Sequence, residues 1–422
     1  MKVILVTSGS RGDVLPFIAL AKALKIRGHQ PTLSTHAMFR DEILAAEIDF
    51  HCLGGDPIAL ANTAEGRTLR LSRNPIAKWK AARRLTCQML VQISNSIAHI
   101  VSEADCCIYG IGAIVAGEVA ASFGVPHFPM SIQPMTTTSD LVSFPFANRS
   151  LNFGSMLNRL SYKFTDLYFT SRILPALNLV RLEKLNLGPM KSREYFRALN
   201  KQKKTILYAF SPSILPKPKD WAENNIVTGF WQENTTDVDL DPKISEFVRN
   251  SECPIYVGFG GATIPNPDLV NKIISDAITQ SRTSAVLLTG LNNLGYNLPP
   301  EKAFRTSYVD LSSVLKSVKL AIHHGGAGTC VAAVKAGVPS IIIPFGADNA
   351  LWGRCLERLG AGIVIPRSKL NSGLLSKTIV DIIRNPRFRR ASEELREKIA
   401  GESGTQETIL YIERHLQSAV ES

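Results

Sequence analysis

The sequence has no long run of apolar residues, and this shortage excludes several classes of protein. No apolar stretch approaches the roughly 20 residues that a helix needs to cross a bilayer. The opening MKVILVTSGSRGD turns to glycine and charge too early for a secretory signal. We therefore expect the protein to stay in the cytosol. With 45% apolar and 20% charged residues, the 422-residue chain is typical of a folded globular protein and long enough for two domains.

Cysteine is scarce, and its placement favours neither disulfides nor a metal site. The seven cysteines are an odd number, with no CxxC pair and no histidine at metal-binding spacing. We expect buried, reduced thiols. Asp237, Asp239 and Asp241 alternate as a metal-binding DxD would, but no strand precedes them, so we interpret them as a solvated acidic turn. The sequence therefore predicts no metal site.

Acidic residues are few in the first half of the chain. Residues 1–204 hold 25 lysines and arginines against 14 acidic residues, whereas the remainder holds 23 against 22. The stretch 67–84 carries seven cations around Trp79 and no acidic residue. Basic residues interleaved with aromatic ones suit an anionic membrane, and we see no motif for nucleic acid. We predict either a peripheral contact with the inner face of the membrane through residues 67–84 or a solvated helix face.

The order of apolar runs and glycine-rich turns predicts an α/β protein with two doubly wound domains. The run KVILVT ends in the turn 8–13, and apolar residues then recur at helical spacing up to Leu24. A second strand near residues 31–35 completes a βαβ unit, and the same rhythm restarts at residue 254. The proline-rich segment 211–242 is typical of a linker. We place the domains at residues 1–225 and 226–400.

The stretch HHGGAGTC at residues 323–330 is the most informative motif of the second half. It follows an apolar strand at 320–322 and begins a helix that runs to Lys335. Small residues allow the backbone to approach an anion, and the free N–H groups and dipole of a helix start suit a diphosphate. A tight packing turn is the alternative interpretation.

A second motif, PFGADNALWG at residues 344–353, follows the next predicted strand. Ligands of open α/β sheets lie outside the carboxyl ends of the strands, so this loop should border the same crevice as the His323 loop. Asp348 and Asn349 offer acceptors and donors that suit sugar hydroxyls. Capping of the next helix is the alternative role for both residues.

Together these motifs resemble the UDP-glycosyltransferase superfamily. HHGGAGT and PFGADNALWG, with GSRGDVLPFIALAKAL near the start and VGFGG at residues 257–261, resemble the branch of sterol glucosyltransferases and vancomycin-type antibiotic glycosyltransferases. The resemblance implies the GT-B fold, in which two Rossmann-like domains face each other across a cleft. It also implies that the acceptor binds the first domain, that the nucleotide sugar binds the second, and that a C-terminal helix within residues 401–422 crosses back to the first domain.

The resemblance implies a role for each motif residue. Asp13 matches the family's general base, which takes the proton of the acceptor hydroxyl; a helix cap is the alternative. His323 matches a phosphate-binding histidine, and its loop supports the leaving diphosphate in place of a metal ion. Asp348 and Asn349 match a pair that contacts the sugar. The other residues expected at the donor site are Ser10, Arg11, Gly12, Gly260, Gly261, Val309, Gly325, Gly326, Ala327, Gly328 and Thr329.

The implied reaction is an inverting, metal-independent hexosyl transfer that needs no cofactor. The expected donor is UDP-glucose, and the expected acceptor is a hydroxyl of a sterol, terpenoid, polyketide or lipid. Three alternatives stay open: a dTDP-rhamnose-dependent glycolipid rhamnosyltransferase, which residues 9–29 also resemble, a nucleotide-sugar epimerase of the same fold, and a catalytically silent relative. A dinucleotide dehydrogenase is disfavoured because residues 8–13 lack the GxGxxG spacing.

Overall fold

The structure, a computed structural model, describes residues 1–422 except 57, 58, 61, 73, 193–204, 234–238, 263, 291–293, 347, 421 and 422. Of residues 70, 71 and 418–420 only the backbone is described. Two cations of the basic stretch, Arg70 and Arg73, and Asp237 of the acidic turn therefore lie outside the described side chains.

The first domain is built on a parallel sheet. Its strands are β1 (Lys2–Val6), β2 (Gln30–Thr35), β3 (Asp49–Cys52), β4 (Cys106–Gly110), β5 (His127–Ser131), β6 (Ile206–Tyr208) and β7 (Asn225–Val227). Its helices are α1 (Arg11–Ile26), α2 (Arg40–Ala45), α3 (Ala64–Leu71), α4 (Pro75–Ser102), α5 (Val115–Ser122) and α6 (Ser155–Glu183). Helices cover both faces, so the central strands are continuous apolar runs such as KVILV.

The second domain repeats this architecture. Its strands are β8 (Pro254–Gly258), β9 (Ser284–Leu288), β10 (Ala303–Thr306), β11 (Leu320–His323), β12 (Ser340–Ile342) and β13 (Gly362–Val364). Its helices are α7 (Pro242–Arg249), α8 (Pro267–Ser281), α9 (Leu311–Lys316), α10 (Ala327–Lys335), α11 (Asn349–Arg358), α12 (Ser372–Arg384), α13 (Pro386–Ala400) and α14 (Gly404–Val420). The predicted α/β class with two doubly wound sheets is confirmed.

The strand orders show where ligands can bind. The first sheet runs β3-β2-β1-β4-β5-β6-β7 and the second β10-β9-β8-β11-β12-β13. The strand order reverses between β1 and β4 in the first sheet and between β8 and β11 in the second. Ligands of such sheets bind outside the carboxyl ends of the strands at this switch point. The Asp13 turn follows β1 and the His323 loop follows β11, so both predicted motifs lie at switch points.

The segment 211–242, predicted as a linker, is largely packed structure. Trp221 stacks on Tyr208 with ring centroids 4.4 Å apart, and Ile214 and Leu215 are buried. The linker prediction is wrong here because apolar side chains of the segment are buried in the core, and the predicted boundary at residue 225 falls inside β7. Farther along, Asp241 caps α7 by accepting a hydrogen bond from the Lys243 amide at 2.8 Å.

Helix α14 lies on the first domain. Ile409 and Ile412 are buried in the core that β1, β2 and α1 form. The Glu413 carboxylate accepts a hydrogen bond from Arg27 Nη2 at 2.9 Å and contacts His29 Nε2 at 3.0 Å. The end of the chain thus fixes the first domain to the helices of the second.

All seven cysteines are free thiols. Four are buried, and burial raises the pKa of Cys107 and of Cys355 to about 12. Cys52 is exposed, contrary to the expectation, because its strand β3 lies at the edge of the first sheet. In the described part of the chain, no group of three or more His, Cys, Asp or Glu side chains is placed to hold a metal ion.

Candidate active site

The turn between β1 and α1 holds the Asp13 carboxylate in one position. Ser10 is the N-cap of α1 and Asp13 its third residue. The amide and the hydroxyl of Ser10 both donate to Asp13 Oδ2, at 2.8 and 2.9 Å. Gly9 has φ +144°, and a Cβ there would lie 2.4 Å from the same oxygen. Asp13 therefore does cap its helix, and the cap also fixes the direction of the carboxylate.

Asp13 borders a pocket at the switch point of the first sheet. The pocket is small, with a cavity volume of about 50 Å³. It is lined by Thr7, Ser8, Asp13, Phe17, Gly110, Ile111, Gly112, Met130, Ser131, Ile132 and Gln133. Apolar side chains alternate with hydroxyl and amide groups, so the lining suits an apolar molecule that carries a hydroxyl group.

The surroundings of Asp13 make its carboxylate a stronger base than an exposed one. Burial raises the pKa of the Asp13 carboxyl, hydrogen bonds from Ser10 oppose this rise, and the charge of Asp348 adds to it. A general base is most effective when its pKa approaches the working pH. The shift also shows that Asp348 of the second domain lies near Asp13 across the cleft.

His323 ends β11 and is fully buried. Its Nδ1 accepts a hydrogen bond from the Gly325 amide at 3.1 Å, and burial lowers the pKa of the ring to about 3. The ring is therefore neutral and carries its proton on Nε2. Among the described residues this Nε2 has no hydrogen-bond partner. His323 thus shapes the loop with one nitrogen and offers a buried donor with the other, and its phosphate contact stays a prediction.

His324, for which the motifs predicted no role at the site, lies between the two glycine-rich loops. A Cβ at Gly260 would lie 3.4 Å from His324 Cε1, and one at Gly326 would lie 2.5 Å from Nε2. Burial lowers the pKa of His324, and the nearby Asp348 opposes this shift. The only sequence signal was the histidine doublet, which does not show which of the two rings faces the cleft.

The start of α10 presents its backbone to the cleft. Gly326 is the N-cap, and no described side chain caps this end. Gly325 has φ +88°, and a Cβ there would lie 2.6 Å from the Asn349 carbonyl oxygen. The first amides of a helix, here those of Ala327 to Thr329, have no carbonyl partner within the helix. Such an end suits a phosphate.

Asp348 and Asn349 begin α11 but make different contacts. Asp348 Oδ2 accepts a hydrogen bond from Gln133 Nε2 of the first domain at 3.1 Å. Asn349 is buried, and its Oδ1 accepts from the Gly346 amide at 2.6 Å. Asn349 therefore stabilises its own loop, while Asp348 faces the cleft. Gln133 belongs to no recognisable motif, so its role could not be predicted from the sequence.

Three other predicted donor residues have surroundings of their own, and their role at the donor site stays a prediction. Arg11 forms a bidentate pair with Glu42 of α2, with both hydrogen bonds at 2.8 Å, and Gly12 is exposed in the first turn of α1. Val309 packs partly against the core beside Asp310, which caps α9. By contrast, Gly260 and Gly261 follow β8 directly, at the switch point that β8 shares with β11.

Two family models match the chain, one in each domain. Residues 3–122 match the glycosyltransferase family 28 N-terminal domain. Residues 290–414 match the C-terminal domain of erythromycin biosynthesis protein CIII-like proteins.

Curated relatives match over nearly the whole chain. It is 28% identical to a UDP-sugar-dependent glycosyltransferase 52 of Dictyostelium discoideum, over 99% of this chain and 26% of that protein. It is also 28% identical to a sterol 3-beta-glucosyltransferase of Arabidopsis thaliana, over 99% of this chain and 66% of that protein. The chain therefore spans between about a quarter and two thirds of the length of these relatives.

Solved structures share the fold. The calicheamicin glycosyltransferase superposes with a TM-score of 0.71 at 17% identity, covering 99% of this chain and 98% of that one. A spinosyn rhamnosyltransferase in complex with thymidine diphosphate gives 0.64 at 16% identity, covering 98% and 100%. This likeness confirms the GT-B fold. With a glycosyltransferase family 28 model on its first domain and sterol glucosyltransferases among its relatives, the chain is similar along its length to the UDP-glycosyltransferase superfamily.

Proposed function

We propose that the protein is an inverting glycosyltransferase that moves a hexose from a nucleotide sugar to a hydroxyl of a hydrophobic acceptor. One observation carries the proposal: Asp13, at the edge of a pocket in the first domain, lies near Asp348 of the donor loop in the second. The hydrogen bond between Gln133 and Asp348 joins the two sides of the cleft at this point. A base and a sugar-binding loop meet where transfer requires both.

The reaction follows from this arrangement. Asp13 accepts the proton of the acceptor hydroxyl while the oxygen attacks the anomeric carbon. The bond from that carbon to the diphosphate breaks on the opposite face, so the anomeric centre is inverted. The amides at the start of α10 and the Nε2 proton of His323 stabilise the charge of the leaving diphosphate, a role that a metal ion has in other transferases.

UDP-glucose and a sterol-like acceptor are the substrates best supported. The Arabidopsis relative is named a sterol 3-beta-glucosyltransferase, and the pocket beside Asp13 is lined in part by the apolar side chains of Phe17, Met130 and Ile132. The second candidate is a rhamnosyltransferase that uses dTDP-rhamnose, because the spinosyn rhamnosyltransferase with bound thymidine diphosphate shares the fold.

Contact of residues 67–84 with an anionic membrane stays a prediction. Arg83 lies over the Trp79 ring, 5.7 Å from its centroid, and Arg84 lies 3.6 Å from Glu65. Arg67 donates to the Asn62 carbonyl at 2.8 Å. Some of these cations therefore have local partners, and the stretch offers less free charge than its composition indicates.

Calorimetric titration with UDP-glucose, dTDP-glucose, dTDP-rhamnose and UDP-N-acetylglucosamine, followed by product analysis with sterol acceptors, tests the function. We expect UDP-glucose to bind most tightly and to give a glucosylated sterol. Asp13→Asn should lower transfer by about 10²–10⁴-fold and leave the affinity for UDP unchanged. Asp41→Asn, an exposed position on α2, is the matched control.

The other outcomes are equally informative. Preference for dTDP-rhamnose would support the rhamnosyltransferase instead. Isomerisation of the sugar without any acceptor would overturn the transferase proposal. An equal loss of UDP affinity and of transfer in Asp13→Asn would overturn the role of Asp13 as the base.

A further inference from the structure

Helix α6 exposes an apolar face to solvent. The exposed fractions are 78% for Met156, 57% for Phe164 and 62% for Leu167. The outer face of α6 consists of Met156, Leu157, Leu160, Phe164, Leu167 and Tyr168. At about 100° per residue, these six side chains fall within an arc of roughly 120°. Contiguous exposed apolar surface of this kind marks an interaction site.

The opposite face of the same helix is polar and buried. Asn158 Nδ2 donates to the Ser139 carbonyl at 2.8 Å, and Ser161 Oγ accepts from the Ser143 amide at 2.9 Å. Thr165 Oγ1 donates to Ser143 Oγ at 2.9 Å. A surface helix of a globular protein normally has the reverse arrangement. The first half of α6 therefore anchors itself by hydrogen bonds and leaves its apolar side for something outside the chain.

Cations border the outer face. Lys163 lies on the helix between Leu160 and Phe164 and is exposed, and Arg149 is exposed just before the helix. Arg172 lies over the Tyr168 ring, 5.5 Å from its centroid, and its Nη2 is 3.5 Å from Thr86 Oγ1 of α4.

The contact between Arg172 and Thr86 brings α4 beside the outer face. The exposed cations Lys80, Arg83 and Arg84 precede Thr86 on α4 by less than two turns. Arg159 is partly neutralised by Asp220 at 3.5 Å, and Arg84 by Glu65 at 3.6 Å. The border of the apolar face is positive on balance.

We propose that the outer face of α6 docks on an anionic bilayer. Apolar side chains that enter the acyl boundary, with cations beside them at the depth of the headgroups, are the arrangement of a helix that lies in the plane of a membrane. No described helix of the chain is long and apolar enough to cross a bilayer, so the contact is peripheral. A second copy fits less well, because a twofold contact would place Lys163 and Arg149 near their own copies.

Co-sedimentation with vesicles of phosphatidylcholine, with and without phosphatidylglycerol, tests the docking. We expect wild-type protein to bind the anionic vesicles and to dissociate as salt rises. Phe164→Ser combined with Leu167→Ser should lower the partition coefficient by about tenfold or more. The control pair Ile26→Ser with Leu269→Ser removes apolar side chains of similar or greater exposure, 85% and 56%, and should bind like the wild type. Lys163→Gln with Arg149→Gln should weaken the preference for anionic lipid, because other cations of the border stay in place.

Two results would overturn the docking. One is equal binding of the vesicles by the outer-face pair, that is Phe164→Ser with Leu167→Ser, and by the control pair. The other is a wild-type dimer in sedimentation equilibrium that the outer-face pair dissociates, since this would assign the face to a second copy. The vesicle assay needs no donor sugar. Loss of the docking proposal and loss of the proposed function can therefore be told apart. A thermal melt of each variant checks folding, and all six substituted positions are exposed, so we expect little change.

Discussion

At the scale of single residues, Asp13 and Asp348 lie on opposite sides of the cleft, and the charge of Asp348 adds to the raised pKa of Asp13. Asp13 must be ionised to accept a proton, and its pKa is raised by burial and by Asp348. We therefore expect kcat/KM to fall on the acid side with an apparent pKa above 3.8, the ordinary value of the group.

The variant Asp348→Asn separates the two causes of the raised pKa of Asp13, burial and the charge of Asp348. Removal of its charge should move the acid limb of the profile to lower pH, whatever it does to the maximal rate. Asp268→Asn, at the start of α8, is a control that should leave the limb in place. An unchanged acid limb of the kcat/KM profile in Asp348→Asn would contradict the effect of Asp348 on the pKa of Asp13.

His323 combines a structural contact with a free donor, and its removal should affect both. Loss of the acceptor for the Gly325 amide should lower the free energy of unfolding by about 1–3 kcal/mol. Loss of the Nε2 donor should weaken UDP binding by about tenfold, the effect of one hydrogen bond to a charged group. Thermal melts and calorimetry of His323→Ala measure the two effects. His127→Ala, in the first domain, should leave UDP affinity unchanged; unchanged affinity in His323→Ala would restrict the residue to shaping the loop.

At the scale of elements, the β1–α1 turn places the base, and Gly9 is the residue that permits it. A methyl group at Gly9 would lie 2.4 Å from Asp13 Oδ2, so Gly9→Ala should displace the carboxylate. We expect transfer to fall at least about tenfold, because small errors in the position of a catalytic group are costly, with UDP affinity unchanged. Gly28→Ala is the control, because φ there is +88° but nothing lies within 4 Å. Equal activity of the two variants would contradict the expected effect of the clash at Gly9.

Elements with a strong local signal were predictable from the sequence, and short ones were not. The runs KVILV and CCIYG are buried strands of five residues each, and their apolar residues alone indicate them. Strands β7 and β13 have three residues each, which is too few for a pattern of apolar residues to be recognised. Trp221 lies among prolines that favour a loop, yet Tyr208 and Phe210 bury it, which only the tertiary structure reveals.

The residues of the candidate site also divide into those that the sequence indicates and those that only the fold reveals. Asp13 and the His323 loop could be found because a strand, a glycine-rich turn and a helix follow in order, and this order has a physical meaning for anion binding. The partners of Arg11 and Asn349, namely Glu42 and the Gly346 amide, depend on how the chain folds back. Gln133 contacts Asp348 across 215 residues of sequence, so no local pattern could indicate it.

At the scale of the whole molecule, one apolar core crosses from the first domain into the second. Phe210 and Phe230 lie against Trp352, with ring centroids 6.1 and 5.8 Å away, and Trp352 is completely buried in the cluster that also contains Tyr208 and Trp221. Domains that share a core should unfold together. We therefore expect a single transition in scanning calorimetry of the wild type.

Trp352→Ala should break this coupling. Loss of a buried tryptophan costs about 3–5 kcal/mol, and the Trp352 ring is what joins the aromatic side chains of the two domains, so the single transition should divide into two. UDP should then raise the temperature of one transition only, that of the second domain, because a ligand stabilises the unit that binds it. Trp79→Ala, half-buried on α4 and outside this core, should keep one transition. Two transitions in the wild type, or an unchanged single one in Trp352→Ala, would mean that the shared core does not couple the domains.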